Sequence, residues 1–246
     1  MKYLLANFKM NANQQMLNQY FDQIDQFDAD KLTIKLAIGD LYLDRFDDQA
    51  KQKQVELMAQ DVFSERSGAY TGQISYSQIL DIGINSTLIG HSELRFYQPQ
   101  ALVDHKTKTA LANNLNVVLC IGEDDFVYEE KKSISFIIDQ LVNVVNYKNL
   151  KNLIVAYEPI FAIGKEAASL EHINKVTQVI KTYLYNCTNL NIPVLYGGSV
   201  NVSNLEDILS IKCIDGVLVG NASLDVNNLN QMIKIMTNLK DKDDQQ

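Results

Sequence analysis

Short apolar runs alternate with longer segments of helical periodicity along the whole chain. Most of the runs are apolar at successive positions, as expected for strands that are covered on both faces. Eight runs of this kind predict strands at Tyr3–Ala6, Thr33–Ile38, Val55–Ala59, Ser86–Ile89, Val117–Ile121, Leu153–Tyr157, Val194–Tyr196 and Val217–Val219.

The segments between these runs carry apolar residues at the three- and four-residue spacing of amphipathic helices. Three such stripes are Ile134, Ile137, Ile138, Leu141 and Val145; Ile173, Val176, Ile180, Tyr183 and Leu184; and Leu229, Met232, Ile233 and Met236. Ser75 with Gln78, and Ser203 with Glu206, have the spacing of a capping box, a pair of side chains that bond the free N–H groups of a first helical turn. Both pairs therefore predict helix starts.

This strand–helix alternation predicts parallel strands joined by right-handed crossovers. Eight units in 246 residues match the size of a closed (β/α)8 barrel. A doubly wound open sheet is the alternative, but it more often has a glycine-rich fingerprint after its first strand, where this chain reads Asn7-Phe8-Lys9-Met10-Asn11. We expect one barrel domain over residues 1–246, in which residues 240–246 form a polar tail.

Composition and charge argue against several classes of partner and location. The net charge of −8 and the isoelectric point near 4.9 disfavour nucleic acids and anionic membranes as partners. The apolar start of the chain is too short for a signal peptide, and no run reaches the length of a membrane span. The three cysteines lack metal-ligand spacing and predict no disulfide framework. Together these features predict a cytoplasmic protein.

Functional residues of a (β/α)8 barrel lie where the strands end at their carboxyl termini. Glu158 follows the apolar strand predicted at Leu153–Tyr157. Partial desolvation there raises the proton affinity of a carboxylate, which suits a general base. The alternative for Glu158 is a strand-end acid held in a salt bridge.

His91 follows the fourth predicted strand and opens a short polar segment. Backbone N–H groups at the start of a helical turn would keep the imidazole neutral, so that it donates a hydrogen bond. The alternative is a structural histidine bonded to a loop carbonyl. His105 and His172 fall within helical patterns and are interpreted as structural.

A cation and two glycine-bearing turns also lie at the carboxyl ends of predicted strands. Lys9, two residues after Asn7, would neutralise an anion or a developing oxyanion, although a solvated surface lysine is the alternative. Gly197-Gly198-Ser199 and Gly220-Asn221 follow the last two strands, where barrels bind phosphate through backbone N–H groups. The combined chemistry is proton abstraction next to a carbonyl on a small phosphorylated substrate.

Seven motifs identify the chain as similar to the triosephosphate isomerase family over essentially its whole length. They are Asn7–Asn11, Gly68–Ser75, Gly90–Glu93, Cys120–Glu123, Ala156–Gly164, Tyr196–Val200 and Val219–Leu224. The resemblance implies interconversion of dihydroxyacetone phosphate and glyceraldehyde 3-phosphate, with neither cofactor nor metal. Glu158 would move a proton between neighbouring carbons, while His91 would polarise the carbonyl and move protons between the oxygens. Lys9 would stabilise the enediolate charge, and Asn7 would bond the substrate oxygens.

The resemblance also implies supporting residues, a phosphate site, a lid and a homodimer. Glu93 and Ser92 would support the Lys9 and His91 network. Asn7, Lys9, Gly164, Ser199, Gly220 and Asn221 would bind the substrate and its phosphate. The lid would consist of Pro159, Ile160, Phe161, Ala162, Ile163, Gly164 and Lys165. Thr71, on a protruding loop, would lie near Asn7 of the partner subunit.

The chain departs from the family pattern at several positions. The family reads Ala-Ile-Gly-Thr-Gly-Lys in the lid, whereas Lys165 directly follows Gly164 here, so the lid tip is shorter or differently hinged. Leu94 stands where arginine is usual, and Asp61 stands where asparagine is usual. Both lie near the expected dimer contact. Phe161 fills one of the two usual tryptophan positions.

Two other functions fit part of the sequence. One is another phosphate-binding barrel enzyme, such as an aldolase or a sugar-phosphate isomerase. An aldolase needs a Schiff-base lysine on an interior strand, whereas Lys9 lies past its strand end. The other is a binding protein that keeps the fold without turnover. It predicts erosion at Asn7, Lys9, His91 or Glu158, and all four are present; the altered lid is the feature that favours it.

Overall fold

Eight parallel strands close into a barrel in the computed structural model, which describes residues 1–239. The strands are β1 (Lys2–Asn7), β2 (Leu32–Ala37), β3 (Glu56–Met58), β4 (Ser86–Ile89), β5 (Asn116–Ile121), β6 (Leu153–Tyr157), β7 (Val194–Tyr196) and β8 (Gly216–Val219). Their spatial order is β3-β2-β1-β8-β7-β6-β5-β4. Ala59 closes the ring between β3 and β4, because its backbone donates to Ser86 and accepts from Leu88, both at 2.9 Å. The predicted (β/α)8 barrel is confirmed, and the open-sheet alternative is wrong. The predicted tail at 240–246 lies outside the described residues.

Helices alternate with these strands. They are α1 (Gln14–Gln23), α2 (Leu43–Gln52), α3 (Tyr76–Asp81), α4 (Ser92–Arg95), α5 (Gln100–Ala112), α6 (Asp125–Glu129), α7 (Ser133–Leu141), α8 (Leu170–Thr188), α9 (Leu205–Ser210) and α10 (Val226–Asn238). The last two predicted stripes lie on α8 and α10, with most of their residues buried. The first stripe is one turn too long, because α7 ends at Leu141 and Val145 lies in a separate 3-10 turn. Within residues 1–239, no helix is long and apolar enough to cross a membrane.

The two predicted capping boxes have different outcomes. Ser75 and Gln78 form the box at the start of α3, with the reciprocal bonds at 3.1 and 2.9 Å. The box at Ser203 is wrong, since α9 begins at Leu205 with no side-chain cap. The Asn201 carboxamide oxygen instead accepts from the N–H of Ser203 at 2.9 Å and from its hydroxyl at 2.6 Å. A local side-chain turn therefore uses the hydroxyl that the box required.

Alternation along each strand divides the core into two layers. Inside the barrel, side chains from the strands pack together, among them Leu5, Val118, Leu195 and Leu218. Their strand neighbours, such as Leu4, point outward into a larger layer between the strands and the helices. Because both faces are covered, the strands are apolar at successive positions. The packed interior leaves the strand ends as the place for a site.

Asp40, in a 3-10 turn after β2, provides a prediction about stability and pH. Burial raises the pKa of its carboxyl to about 6, and the nearby charge of Asp61 adds to this. The folded state therefore binds more protons than the unfolded state between about pH 4 and 6, so stability falls as pH rises through that window. Asp40→Asn is expected to stabilise the protein at pH 8 by about 1 kcal/mol, allowing for solvent screening of a partly exposed group. In urea unfolding, the increase in the free energy of unfolding caused by Asp40→Asn should be smaller at pH 4.5 than at pH 8. Asp139→Asn, an exposed control on α7, should show no such pH dependence.

Candidate active site

A cavity of about 260 Å³ opens at the rim where the strands end. Eight residues predicted from the sequence line it: Asn7, Lys9, His91, Glu158, Gly164, Ser199, Gly220 and Asn221. They come from the end of β1 and from segments that follow β1, β4, β6, β7 and β8, and the closed ring brings them together. The lid also contributes Ile163 to the lining. Glu93 and Ser92 do not line the cavity but belong to α4 beside it.

Lys9 is held in an unusual backbone conformation at the end of β1. Its φ of 51° lies in the left-handed region, which costs a non-glycine residue of the order of 1–2 kcal/mol. Two hydrogen bonds offset this cost. The Lys9 N–H donates to Asn7 Oδ1 at 2.9 Å, and the Gln60 amide donates to the Lys9 carbonyl at 2.7 Å. The ammonium then lies in the cavity, 2.8 Å from Glu93 Oε1.

His91 is the N-cap residue of the short helix α4 and is only 6% exposed. Its Nδ1 accepts the backbone N–H of Glu93 at 3.3 Å. In a neutral ring that accepts at Nδ1, the proton resides on Nε2. Nε2 lies 3.4 Å from Glu158 Oε1. The side chain therefore presents a neutral hydrogen-bond donor to the cavity, beside the carboxylate.

Glu158 lies directly after β6 and is 4% exposed. Two glycines make room for it. A Cβ at position 122 would lie 1.8 Å from the Glu158 carbonyl oxygen, and one at position 197 would lie 2.8 Å from Glu158 Cγ. Among residues 1–239, none donates a hydrogen bond to Glu158 Oε2. This buried carboxylate oxygen is thus free to accept a proton.

Cys120 lies on the inner face of β5 and belongs to the barrel core. Burial raises the pKa of its thiol well above the ordinary value, and the charge of Glu158 adds to the effect. The side chain therefore stays a neutral thiol at physiological pH and packs as a small apolar group.

The two glycine-bearing turns form the opposite side of the cavity. Gly220 caps a 3-10 turn at Asn221–Leu224, and its carbonyl accepts from the Ser223 hydroxyl at 2.7 Å. Ser199 has a φ of 49°, and its hydroxyl donates to the Ala162 carbonyl in the lid at 2.7 Å. Backbone at these turns faces the same cavity as the Lys9 ammonium. Such a combination suits a phosphate dianion.

The lid segment, residues 159–165, covers one side of the cavity. Its first part forms a 3-10 turn at Ile160–Ala162. The Ile160 N–H donates to the Glu123 carbonyl at 2.8 Å. After the tip, the Ala168 N–H donates to the Tyr196 hydroxyl at 3.1 Å. At the tip, Lys165 pairs with Asp125 of α6 at 2.9 Å, with both side chains 62% exposed.

Sequence reasoning missed two residues that support the site. The Gln60 amide also bonds the Ala37 carbonyl at 3.0 Å, so it ties Lys9 to the end of β2. Gln60 follows Ala59 at the end of a predicted strand, so its place at a carboxyl strand end, like that of Asn7, was a usable signal. Arg95 donates to the carbonyls of Gly90 and Cys120, both at 2.8 Å, and thereby fixes the turn that carries His91. Arg95 has no such signal, because its partners are backbone atoms of two different strand ends.

Part of the loop at 61–75 and several large apolar side chains elsewhere are exposed. Residues 66–73, including Thr71, are exposed, and Tyr70 packs on Phe63 with ring centroids 4.7 Å apart. Large apolar side chains outside the loop are also exposed: Met10 by 99%, Phe96 by 88% and Tyr97 by 76%. Asp61 at the base of the loop pairs with Lys106 at 2.5 Å, and the Lys106 side chain is 1% exposed. The aspartate at this position therefore matches a buried ammonium within the same chain.

Residues 1–239 contain no group of three or more His, Cys, Asp or Glu side chains arranged to hold a metal ion.

Comparison with known proteins agrees with this geometry. The family model described as triosephosphate isomerase matches residues 2–236. A triosephosphate isomerase of Ureaplasma parvum serovar 3 is 49% identical over 234 residues, covering 95% of this chain and 98% of that relative. Those of Mycoplasma genitalium and Neurospora crassa are each 36% identical, covering 95% and 89% of this chain and 98% and 92% of the relatives. Because the family model and these relatives extend over nearly the whole chain, it belongs to the triosephosphate isomerase family.

Proposed function

We propose that this protein interconverts dihydroxyacetone phosphate and D-glyceraldehyde 3-phosphate, and so serves glycolysis and gluconeogenesis. One observation carries the proposal. The carboxylate of Glu158 and the donor nitrogen of His91 lie 3.4 Å apart in a cavity that also contains the Lys9 ammonium. A base, a neutral donor and a cation around one small substrate are the groups that an enediolate reaction needs.

Each group has a distinct step in the proposed reaction. Glu158 accepts a proton from the carbon next to the carbonyl, and the electron pair left behind forms the enediolate. Nε2–H of His91 hydrogen-bonds the carbonyl oxygen, and this bond strengthens as negative charge develops there. Protons then pass between the two oxygens through His91, and Glu158 returns its proton to the neighbouring carbon. Lys9 and Asn7 stabilise the oxygens throughout.

The phosphate group of the substrate is assigned to the turns opposite the base. Gly164, Ser199, Gly220 and Asn221 line that side of the cavity. Backbone N–H groups bind a dianion without the desolvation cost of further lysine side chains. Glu93 supports the site indirectly, since its carboxylate holds the Lys9 ammonium and its N–H orients His91. Ser92 lies between His91 and Glu93 in the chain and is the first residue of α4.

A coupled assay of the purified protein tests the function. Glyceraldehyde 3-phosphate should be converted at a turnover within the usual enzyme range, and the reverse direction should run with dihydroxyacetone phosphate. Treatment with a chelator should leave the rate unchanged, because no step requires a metal. A folded protein without turnover would contradict the proposal and favour the binding-protein alternative.

We also propose a cytoplasmic homodimer. All three cysteines are free thiols, which fits a reducing compartment. The exposed loop around Thr71 and the exposed apolar side chains of Met10, Phe96 and Tyr97 fit a protein that a second copy partly covers.

Substitution of Thr71 tests the homodimer. Thr71→Glu should shift the protein towards monomer in light scattering at low concentration, because it puts a charge at the proposed contact. Asn174→Glu, on the exposed outer face of α8, is the control and should leave the mass unchanged. A wild-type monomer, or equal behaviour of the two variants, would contradict the homodimer.

The short lid leads to a prediction about side products. An enediolate that reaches solvent eliminates its phosphate and yields methylglyoxal, so a lid with a shorter tip should protect it less. We expect more methylglyoxal per turnover than in a homologue with a full-length lid. Insertion of Thr-Gly after Gly164 should lower the ratio. Equal ratios in all three proteins would show that the missing residues do not affect sequestration.

A further inference from the structure

A cluster of aromatic and ionisable side chains lies behind the lid, outside the catalytic cavity. We call it the lid-base cluster, and it consists of Glu123, Tyr128, Tyr157, Phe161 and His172. Phe161 of the lid stacks on Tyr128 of α6, with centroids 3.9 Å apart and planes at 20°. The imidazole of His172 on α8 is steeply inclined to both rings, at 74° to Phe161 and 87° to Tyr128, with centroids 5.7 and 5.0 Å away. The cluster therefore connects the lid with two helices.

A fully buried carboxylate forms the polar centre of this cluster. Glu123 is 0% exposed, and its Oε1 accepts from the Tyr157 hydroxyl at 2.9 Å and from His172 Nε2 at 3.1 Å. His172 Nε2 also lies 3.0 Å from the Tyr157 hydroxyl oxygen, so the three polar groups form one triangle. Burial alone would raise the pKa of Glu123, but hydrogen bonding, above all from His172, holds it below the ordinary value. A carboxylate ionised at this depth depends on its donors.

Two residues of this centre, Glu123 and Tyr157, are directly connected to the lid and to the catalytic carboxylate. The backbone carbonyl of Glu123 accepts the N–H of Ile160, the first residue of the lid turn, at 2.8 Å. Tyr157 immediately precedes Glu158 at the end of β6. Through these two contacts Glu123 is bonded both to the first residue of the lid turn and to the residue that precedes Glu158.

We propose that His172 is a positioning residue of the isomerisation. Its Nε2–H holds the Glu123 carboxylate and thereby fixes the position of the first lid residues relative to Glu158. This inference rests on the proposed function. The side chain does not touch the catalytic cavity, and its own helix needs no imidazole at this position, since the Ser169 hydroxyl caps α8. Its sequence pattern, an isolated histidine in a helix, indicates only a structural role.

Two substitutions separate the hydrogen bond from the shape of the side chain. His172→Phe keeps the aromatic contacts and removes the donor, whereas His172→Gln keeps a donor. For the Phe variant we expect about a tenfold loss of kcat/KM, as for a misplaced catalytic group, with more methylglyoxal per turnover. The Gln variant should stay within about threefold of wild type. His105→Phe, at an exposed histidine paired with Glu65, is the matched control and should change neither quantity.

The outcomes distinguish this inference from the proposed function. A His172→Phe protein with wild-type kcat, KM and methylglyoxal ratio, even at a lower Tm, would overturn the positioning role and leave the function intact. Loss of activity in the Gln variant equal to that in the Phe variant would also overturn it. An inactive wild type would instead overturn the proposed function, and this inference with it.

A measurement on the wild-type protein keeps the test valid if the Phe variant does not fold. Imidazole ¹⁵N spectra contain signals from three histidines. Saturation with glycerol 3-phosphate, an unreactive substrate analogue, should shift the signals of His91 and His172 but not that of His105. An unchanged His172 signal with a shifted His91 signal would show that the cluster does not respond to the site, and would overturn the inference.

Discussion

Glu158→Gln is expected to lower turnover in the isomerase assay by about 10³-fold, a typical contribution of a positioned general base. Glutamine has nearly the same shape and keeps the packing against Gly197, but its amide does not accept a proton at neutral pH. The 4% exposure of Glu158 also excludes bulk water as an easy substitute base. Rates should be measured together with solvent deuterium incorporation into the product, which should fall in parallel.

Controls separate the loss of the base from damage to the fold. Glu65→Gln removes a half-exposed carboxylate outside the cavity and should leave the rate unchanged. The Glu158→Gln protein should keep its Tm and bind glycerol 3-phosphate. A variant that folds, binds this analogue and still turns over within tenfold of wild type would show that another group is the base.

Among the proposed substitutions, Asp61→Asn is expected to lower the free energy of unfolding most, by about 3 kcal/mol. It leaves the buried Lys106 ammonium without its counter-charge. The Lys106 side chain is 1% exposed and bonds Asp61 Oδ2 at 2.5 Å, whereas Asp61 is 25% exposed. Gln98 donates to the same carboxylate oxygen at 2.8 Å and loses a charged acceptor as well. Urea unfolding at one protein concentration should show the loss, with a Tm lower by roughly 6–12 °C.

Two further variants make this prediction specific. Asp61→Asn combined with Lys106→Met should recover most of the stability, since replacing both charges removes the uncompensated ammonium. Asp125→Asn breaks the Lys165 pair, in which both side chains are 62% exposed, and should change stability by no more than about 0.5 kcal/mol. Equal losses from the buried and the exposed pair would contradict the argument.

The architecture and the main site residues were predictable because their signals are local. A strand covered on both faces must be apolar at successive positions, and this property is visible in any short window of sequence. The polar residues Asn7, His91 and Glu158 stand at the ends of such windows. Once eight parallel strands are predicted, their carboxyl ends must share one rim. Position in the chain is then enough to bring these residues together.

Contacts between distant segments were not predictable, because no local pattern encodes them. Ring closure depends on Ala59 meeting the fourth strand, and Lys106 is buried against a carboxylate 45 positions away. In sequence, Lys106 is one more helical lysine. His172, 49 positions from Glu123, likewise reads as an ordinary helical histidine. The hydrophobic periodicity of the chain thus specifies the barrel and the rim that carries its chemistry. Which charges are buried together, and which side chains support the lid, follows from three-dimensional packing, because burial and electrostatic pairing are properties of neighbours in space.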